Sequence, residues 1–120
     1  MKVSDALTAF NIARRDAETL LLHCLGHTNR AWLFAHDTDD LTVEDLKHYS
    51  ALCREREQGV PLAYVIGYRE FWSLELAVTP DVLIPRPETE HLVEWAIERV
   101  EAIAAPSLLD LGTGSGAIAL

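Results

Sequence analysis

The spacing of apolar residues changes near residue 71, and this change divides the chain. Before it, apolar side chains recur three or four positions apart, which is the period of an amphipathic helix. Over residues 71–78 they alternate, which predicts a strand with Trp72, Leu74, Leu76 and Val78 on one face. A helical region over residues 1–70 is therefore predicted to precede a β-hairpin over residues 71–84, with its turn at residues 79–81.

Capping residues mark the helix boundaries of the first region. Ser4 is expected to cap a first helix, and a second helix over residues 12–25 is expected to end at Gly26. Thr42 begins a capping-box-like sequence, and the helix behind it is expected to end at Gly59. We expect a small helical bundle that can bury a core.

Residues 85–120 predict the start of a different architecture. Pro87 suits the first position of a helix with a broad apolar face, which is expected to end at Pro106. SLLDLG then predicts a short buried strand, followed by a glycine-rich turn and a helix start, which is how a doubly wound α/β sheet opens. The predicted fold class is mostly α, with a helical bundle and a hairpin followed by the incomplete start of a Rossmann-like domain. Because one parallel strand cannot bury both faces, residues after about 105 are expected to be disordered or packed non-natively in this chain alone.

Composition excludes several classes of function. The net charge of the 120-residue chain is -9 and its ten basic residues are scattered, which argues against direct nucleic-acid binding. No apolar run approaches the ~20 residues of a membrane span, and we expect no signal peptide and a cytoplasmic location. Cys24 and Cys53 are predicted to be reduced core thiols, and the five histidines show no metal-ligand spacing.

The glycine-rich turn predicts a cofactor loop. Residues 112–117 satisfy the dinucleotide pattern GxGxx(G/A), and they also fit the GxGxG turn of methyltransferases that use S-adenosyl-L-methionine (AdoMet). A carboxylate at Asp110 is an awkward neighbour for a pyrophosphate but can balance the positive groups of AdoMet. This favours AdoMet, while a dinucleotide or a turn without a ligand remains open at this point.

Longer motifs carry a resemblance to a known family. The run REFWSLELAVTPDVLIPRPETEHLVE, with LLDLGTGSGAIAL shortly after it, resembles the N5-glutamine methyltransferases that modify peptide chain release factors. The segments ARRDAETLLLHCLG and GVPLAYVIGYREFW resemble the N-terminal helical domain of the same family. The resemblance therefore covers nearly the whole chain, as the N-terminal portion of such an enzyme.

This resemblance implies a reaction and a partner. The family transfers a methyl group from AdoMet to the side-chain amide nitrogen of glutamine in the Gly-Gly-Gln motif of class-1 release factors. It implies a release-factor-docking domain over residues 1–70, a hairpin connector over 71–84 and a truncated AdoMet-binding domain over 85–120. The residues that match the AdoMet loop are Asp110, Gly112, Thr113, Gly114, Ser115 and Gly116, and Arg86 and Glu90 of IPRPETE match a segment beside the cofactor pocket.

This chain contains none of the residues that the resemblance assigns to catalysis. The family polarises the glutamine amide with an Asn-Pro-Pro-Tyr motif, which these residues lack and which is expected beyond residue 120. The chain alone is therefore expected to be inactive and to bind AdoMet weakly or not at all. The alternatives are a non-catalytic helical module that binds release factors and the start of a dinucleotide-dependent oxidoreductase.

Overall fold

The computed structural model describes all 120 residues, which divide into two compact units, Met1–Ile66 and Gly67–Leu120. The first unit contains five helices: α1 (Val3–Ala6), α2 (Arg14–Leu25), α3 (Ala31–Ala35), α4 (Val43–Glu57) and α5 (Leu62–Ile66). The second contains the strands β1 (Tyr68–Phe71) and β2 (Leu74–Ala77), a 3-10 turn (Pro87–Thr89) and the helix α6 (Glu90–Val100). The prediction of a mostly α chain with one hairpin is confirmed, whereas its division at residues 70 and 84 into functional domains stays a prediction.

The core of the first unit lies where α2 packs against α4 and α5. Leu20 and Leu21 of α2 and Tyr49 and Cys53 of α4 are completely buried. The Tyr49 hydroxyl donates a 3.0 Å hydrogen bond to the carbonyl oxygen of Ala6, which fastens α4 to α1. Burying these side chains removes several hundred Å² of apolar surface from water, the main stabilising contribution in a unit of this size.

Of the four predicted helix boundaries in the first unit, those at Gly26 and Thr42 are confirmed, and α4 ends at Glu57, shortly before the predicted Gly59. Gly26 has φ of 74°, and the amide of the following residue donates to the carbonyl of Leu22, as in a Schellman motif. The Thr42 hydroxyl accepts a 3.1 Å hydrogen bond from the backbone amide of Asp45. These contacts satisfy backbone groups that the ends of α2 and α4 would otherwise leave unpaired.

The prediction that Ser4 caps the first helix is wrong. The N-cap position of α1 is Lys2, and Ser4 lies inside the helix. Lys2 pairs with Asp40 in an antiparallel bridge, and the amide of Val3 donates to the carbonyl of Asp39. Backbone pairing with a loop distant in sequence therefore sets the start of α1, and the residues around that start do not predict it.

The predicted position of the hairpin turn is wrong, although residues 79–82 do form a turn in which the amide of Val82 donates a 3.0 Å hydrogen bond to the carbonyl of Thr79. The hairpin turn consists of Trp72 and Ser73, so that Phe71 lies opposite Leu74, and residues 82–84 form no strand. Trp72 and Ser73 have φ of 50° and 59°. Two residues with positive φ characterise the type I′ turn, which usually carries Asn-Gly, and Trp-Ser gives no such signal.

The start of a Rossmann-like domain is not confirmed. Residues 103–110 contain no strand, and Leu108, Leu109 and Leu111 are 71–83% exposed. The only sheet is the two-stranded hairpin, so this segment has no parallel neighbour with which to pair. After the glycines the backbone makes turns rather than a regular helix.

The helix after Pro87 differs from its prediction in length and burial. Pro87 does occupy a first-turn position, but α6 ends at Val100 rather than at Pro106. Only Val93 of its predicted apolar face is buried, whereas Leu92 and Ile97 are exposed. Val93 packs in a small core with Phe71 and Leu76 of the hairpin, and Ala117 and Ile118 pack against that core. No helix of the protein combines the length and the apolar character that crossing a membrane requires.

Candidate functional site

The glycine-rich turn has a backbone that only its glycines adopt easily. Gly112, Gly114 and Gly116 have φ of 66°, 58° and 81°. An L-residue with a side chain pays roughly 1–2 kcal/mol in this left-handed region, whereas glycine does not. The alternation of glycine with Thr113 and Ser115 therefore matches an alternation in backbone conformation.

The acidic residue before the turn is tied to the turn itself. The Thr113 hydroxyl donates a 2.9 Å hydrogen bond to the Oδ2 atom of Asp110. The carbonyl of Thr113 in turn accepts a 2.9 Å hydrogen bond from the amide of Gly116. Thr113 thus joins the carboxylate at the start of the loop to the glycine at its end, so Asp110 lies next to the loop with one oxygen already engaged.

The glycine loop lines a cleft together with the IPRPETE segment. The cleft has a volume of about 200 Å³. Its lining residues are Leu83, Ile84, Pro85, Arg86, Thr89, Gly112, Thr113, Gly114, Ser115, Ala117 and Ile118. Arg86 is the only charged residue among them. Pockets for drug-sized ligands usually measure about 300–1,000 Å³, so this cleft is smaller than a complete cofactor pocket.

The structure brings together five of the eight predicted cofactor-binding residues. Arg86 lines the cleft with Gly112, Thr113, Gly114 and Ser115. Three others do not line it: Asp110, Gly116 and Glu90. Asp110 is one hydrogen bond away through Thr113, and Gly116 closes the turn, as described above. Whether these residues bind a cofactor stays a prediction.

Glu90 lies at a different depression. This open depression, of about 480 Å³, is lined by Glu70, Trp72, Ser73 and Glu90. The Oε1 atom of Glu90 accepts a 2.8 Å hydrogen bond from the backbone amide of Trp72. The sequence gives no indication of this contact, because the two residues are 18 positions apart and the sequence pattern predicts the hairpin turn at residues 79–81 instead.

The reactive side chains of the first unit are poorly suited to nucleophilic chemistry. Burial, with a smaller effect of the neighbouring Cys53, raises the pKa of the Cys24 thiol to about 11. Burial also raises the pKa of Cys53 and of the Tyr49 hydroxyl. Thiolates are the reactive form of cysteine, so both free thiols are held in the unreactive protonated form near neutral pH. No group of three or more His, Cys, Asp or Glu side chains is arranged to hold a metal ion.

Comparison with known proteins identifies the first unit. Residues 2–67 match the PrmC N-terminal domain. Three bacterial proteins are similar over nearly the whole chain, and each is named release factor glutamine methyltransferase. The protein from Coxiella burnetii is 50% identical over 98% of this chain and 43% of its own length. The Bordetella pertussis protein is 48% identical over 98% of this chain and 43% of its own length. The Escherichia coli protein is 48% identical over 95% of this chain and 40% of its own length.

These similarities extend beyond the helical unit into the glycine loop. The chain spans about two fifths of the length of the curated relatives that it matches. The matched domain accounts for more than half of the chain, and the identity is close to one residue in two. The chain therefore belongs to the release factor glutamine methyltransferase family, of which it carries the PrmC N-terminal domain and the residues that follow it.

Proposed function

We propose that this chain is part of an enzyme that transfers a methyl group from AdoMet to a release factor. The acceptor is the side-chain amide nitrogen of the glutamine in the Gly-Gly-Gln motif of class-1 factors. Membership of the family supports the methyl transfer and the release factor. The observation that carries the proposal is the cleft in which the glycine loop and Arg86 lie together.

The residues around this cleft fit the polar groups of AdoMet. AdoMet has a carboxylate, an ammonium and a sulfonium but no phosphate. Arg86 is the cationic group of the cleft, and a guanidinium suits a carboxylate because it can donate two parallel hydrogen bonds. Asp110 provides the negative charge near the loop that a cationic ligand requires. The left-handed glycines allow the backbone to approach a ligand closely.

In this proposal the chain holds and orients the cofactor rather than activating the acceptor. AdoMet supplies an electrophilic methyl group when it is bound. A primary amide nitrogen is a poor nucleophile, because its lone pair is delocalised, and it must be positioned and polarised by hydrogen bonds. The residues proposed for that task form an Asn-Pro-Pro-Tyr motif, which does not occur in these 120 residues. The role left to the chain is cofactor binding by the second unit and docking of the release factor by the first.

The decisive experiment joins this chain to the remaining residues of the Escherichia coli relative. We expect the fusion protein to add one methyl group to the glutamine of a purified release factor, measured by peptide mass spectrometry. Arg86→Gln in the same fusion is expected to raise the KM for AdoMet by about tenfold, because a neutral amide replaces the charged guanidinium that pairs with the carboxylate. Arg99→Gln, on the exposed side of α6, is the matched control and should leave the KM unchanged.

The same fusion discriminates the alternatives. A fusion protein that binds the release factor without methylating it would contradict the proposal in favour of a non-catalytic docking module. Binding of a dinucleotide in preference to AdoMet would favour an oxidoreductase. The chain by itself is expected to produce no methylated glutamine and to show weak or absent AdoMet binding, since its cleft measures only about 200 Å³. Micromolar AdoMet binding to the chain, measured by calorimetry, would contradict this expectation.

A further inference from the structure

The hairpin turn of the second unit is held in a conformation that its residues disfavour. Trp72 and Ser73 both have positive φ, and neither is glycine, asparagine or aspartate. Such residues cost of order 1–3 kcal/mol each and persist only where surrounding contacts hold them. A two-residue turn without Asn or Gly therefore needs stabilisation from outside the turn.

The strands next to the turn do not supply that stabilisation. β1 and β2 contain only four residues each, and Glu70 lies directly opposite Glu75 in their register. Carboxylates in directly opposed positions repel each other and weaken a hairpin. The buried side chains of Phe71 and Leu76 stabilise the opposite face, but they are apolar and cannot accept a hydrogen bond from the amides of the turn.

The stabilising contact comes from the start of α6. Glu90 Oε1 accepts the amide hydrogen of Trp72 at 2.8 Å, a length typical of hydrogen bonds to a charged acceptor. This amide belongs to the first of the two left-handed residues, so the bond acts at the position where the chain enters the turn. A side chain on a regular helix is a more rigid anchor than another loop, because its own backbone is fixed by helical hydrogen bonds.

We propose that Glu90 is a positioning residue for the hairpin, whose carboxylate holds the Trp72 amide and thereby stabilises the left-handed Trp72–Ser73 turn. The last glutamate of IPRPETE then acts on the hairpin and not on a cofactor. Its effect is to fix the place of the Trp72 side chain, which is 38% exposed at the rim of the depression that Glu70, Ser73 and Glu90 complete. The inference concerns this chain alone and does not depend on the proposed function.

A simpler role for Glu90 makes a different prediction. A carboxylate in the first turn of a helix also interacts favourably with the helix dipole, and Glu88 in the preceding 3-10 turn carries the same charge. If Glu90 acted only through the dipole, removing its charge would affect the amides of α6 and leave Trp72 unchanged. Glu90→Gln separates the two roles, because glutamine loses the charge but keeps an oxygen that accepts a hydrogen bond.

The test measures the Trp72 amide by NMR in the isotope-labelled 120-residue chain. In Glu90→Ala we expect an upfield shift of this amide proton and hydrogen exchange that is about tenfold faster, as expected for losing a hydrogen bond to a charged group. Glu90→Gln is expected to keep most of the shift and protection. The matched control, Glu88→Ala, is expected to leave the Trp72 amide unchanged. Unaltered signals from α2 and α4 confirm that the first unit of each variant is folded, and a retained methyl signal of the buried Val93 confirms the same for the second unit.

A second substitution tests the link to backbone strain. Ser73→Gly replaces one left-handed L-residue by glycine and stabilises the turn directly. We expect the double variant with Glu90→Ala and Ser73→Gly to regain protection of the hairpin amides that Glu90→Ala loses. An unchanged Trp72 amide in Glu90→Ala would overturn the proposal. So would equal effects of Glu90→Ala and Glu90→Gln confined to α6, or no recovery of hairpin protection on adding Ser73→Gly.

Discussion

The residues with positive φ fall into two groups. For one group the left-handed conformation can be predicted from the sequence, and for the other it cannot. Gly26 and the three glycines of the loop lie in the left-handed region, and their positions at a helix end and in a glycine-rich pattern predict this. Trp72 and Ser73 adopt the same region without a local signal. Local propensity explains the first group, whereas the second depends on a hydrogen bond from a residue distant in sequence.

The C-terminal end of α2 provides a direct test at residue scale. Gly26 has φ of 74°, and a Cβ atom built there would have no neighbour within 4 Å. Gly26→Ala should therefore lower the free energy of unfolding of the first unit by about 1 kcal/mol through backbone strain alone. Gly26→Asn is the control and should lower the free energy of unfolding less, because asparagine tolerates the left-handed region better than alanine does. Urea unfolding monitored by circular dichroism measures both, and equal stability of all three proteins would contradict the strain interpretation.

The half-buried thiol of Cys24 makes the stability of the first unit depend on pH. Its pKa is raised to about 11 in the folded state, whereas a thiol in an unfolded chain has a pKa of about 8.5. The folded state therefore binds this proton more tightly, and its contribution to stability is complete below the unfolded value. As the pH rises from about 8.5 towards 11, the unfolded state loses the proton first, so the free energy of unfolding must fall.

This dependence can be measured as the urea midpoint at neutral and at alkaline pH. We expect a lower midpoint at about pH 10 than at about pH 7.5, and a smaller decrease in Cys24→Ala. A remaining decrease is expected from Cys53 and Tyr49, whose pKa values burial also raises. A urea midpoint that rises with pH in this range would contradict the expected decrease in stability.

Element boundaries were predictable where side chains of the same segment set them. The end of α2 and the start of α4 follow from Gly26 and Thr42, whose contacts lie within one turn of the helix end. The limit of α1 and the turn of the hairpin were not predictable. Residues 37–40 determine the start of α1 through backbone pairing. The hairpin turn lacks the residues that usually mark a turn. Of the candidate site, the sequence predicted the loop residues and Arg86, most of which line one cleft, but it did not predict that Glu90 lies at a different depression.

The beginning of α4 tests the first kind of boundary. Thr42→Ala removes the oxygen that accepts the amide hydrogen of Asp45, and it should lower the free energy of unfolding by about 1 kcal/mol. Thr42→Ser keeps the oxygen and should lower the free energy of unfolding much less. Thermal unfolding of the two variants beside the parent chain measures the difference. Equal melting temperatures for Thr42→Ala and Thr42→Ser would indicate that the cap contributes nothing.

At the scale of the whole molecule, the two units bury their apolar residues to different extents. The first unit buries eleven hydrophobic residues in one cluster, whereas the corresponding cluster of the second contains three. The second unit leaves large apolar residues of α6 exposed, together with Leu108, Leu109 and Leu111. Few buried contacts and few backbone hydrogen bonds correspond to low local stability, so we expect the units to differ in their resistance to opening.

Hydrogen exchange tests this difference within a single sample. Amides in the buried halves of α2 and α4 should exchange slowly, because they open only when the first unit unfolds. The amides of Leu109 and Leu111 should exchange almost as fast as those of an unstructured peptide, since no backbone hydrogen bond holds them. Strong protection at these two leucines would contradict the absence of a strand there.

The sequence by itself determined the helical character of the first unit, two of its caps and the glycine loop, because each depends on residues within a few positions of one another. Tertiary structure decided the start of α1, the place of the hairpin turn and the partner of Glu90, because each depends on a backbone group or a carboxylate brought together from distant parts of a unit. It also decided that SLLDLG, apolar enough for a buried strand, forms none in this structure. A parallel strand exists only through hydrogen bonds to its neighbours, and the second unit provides no strand beside it.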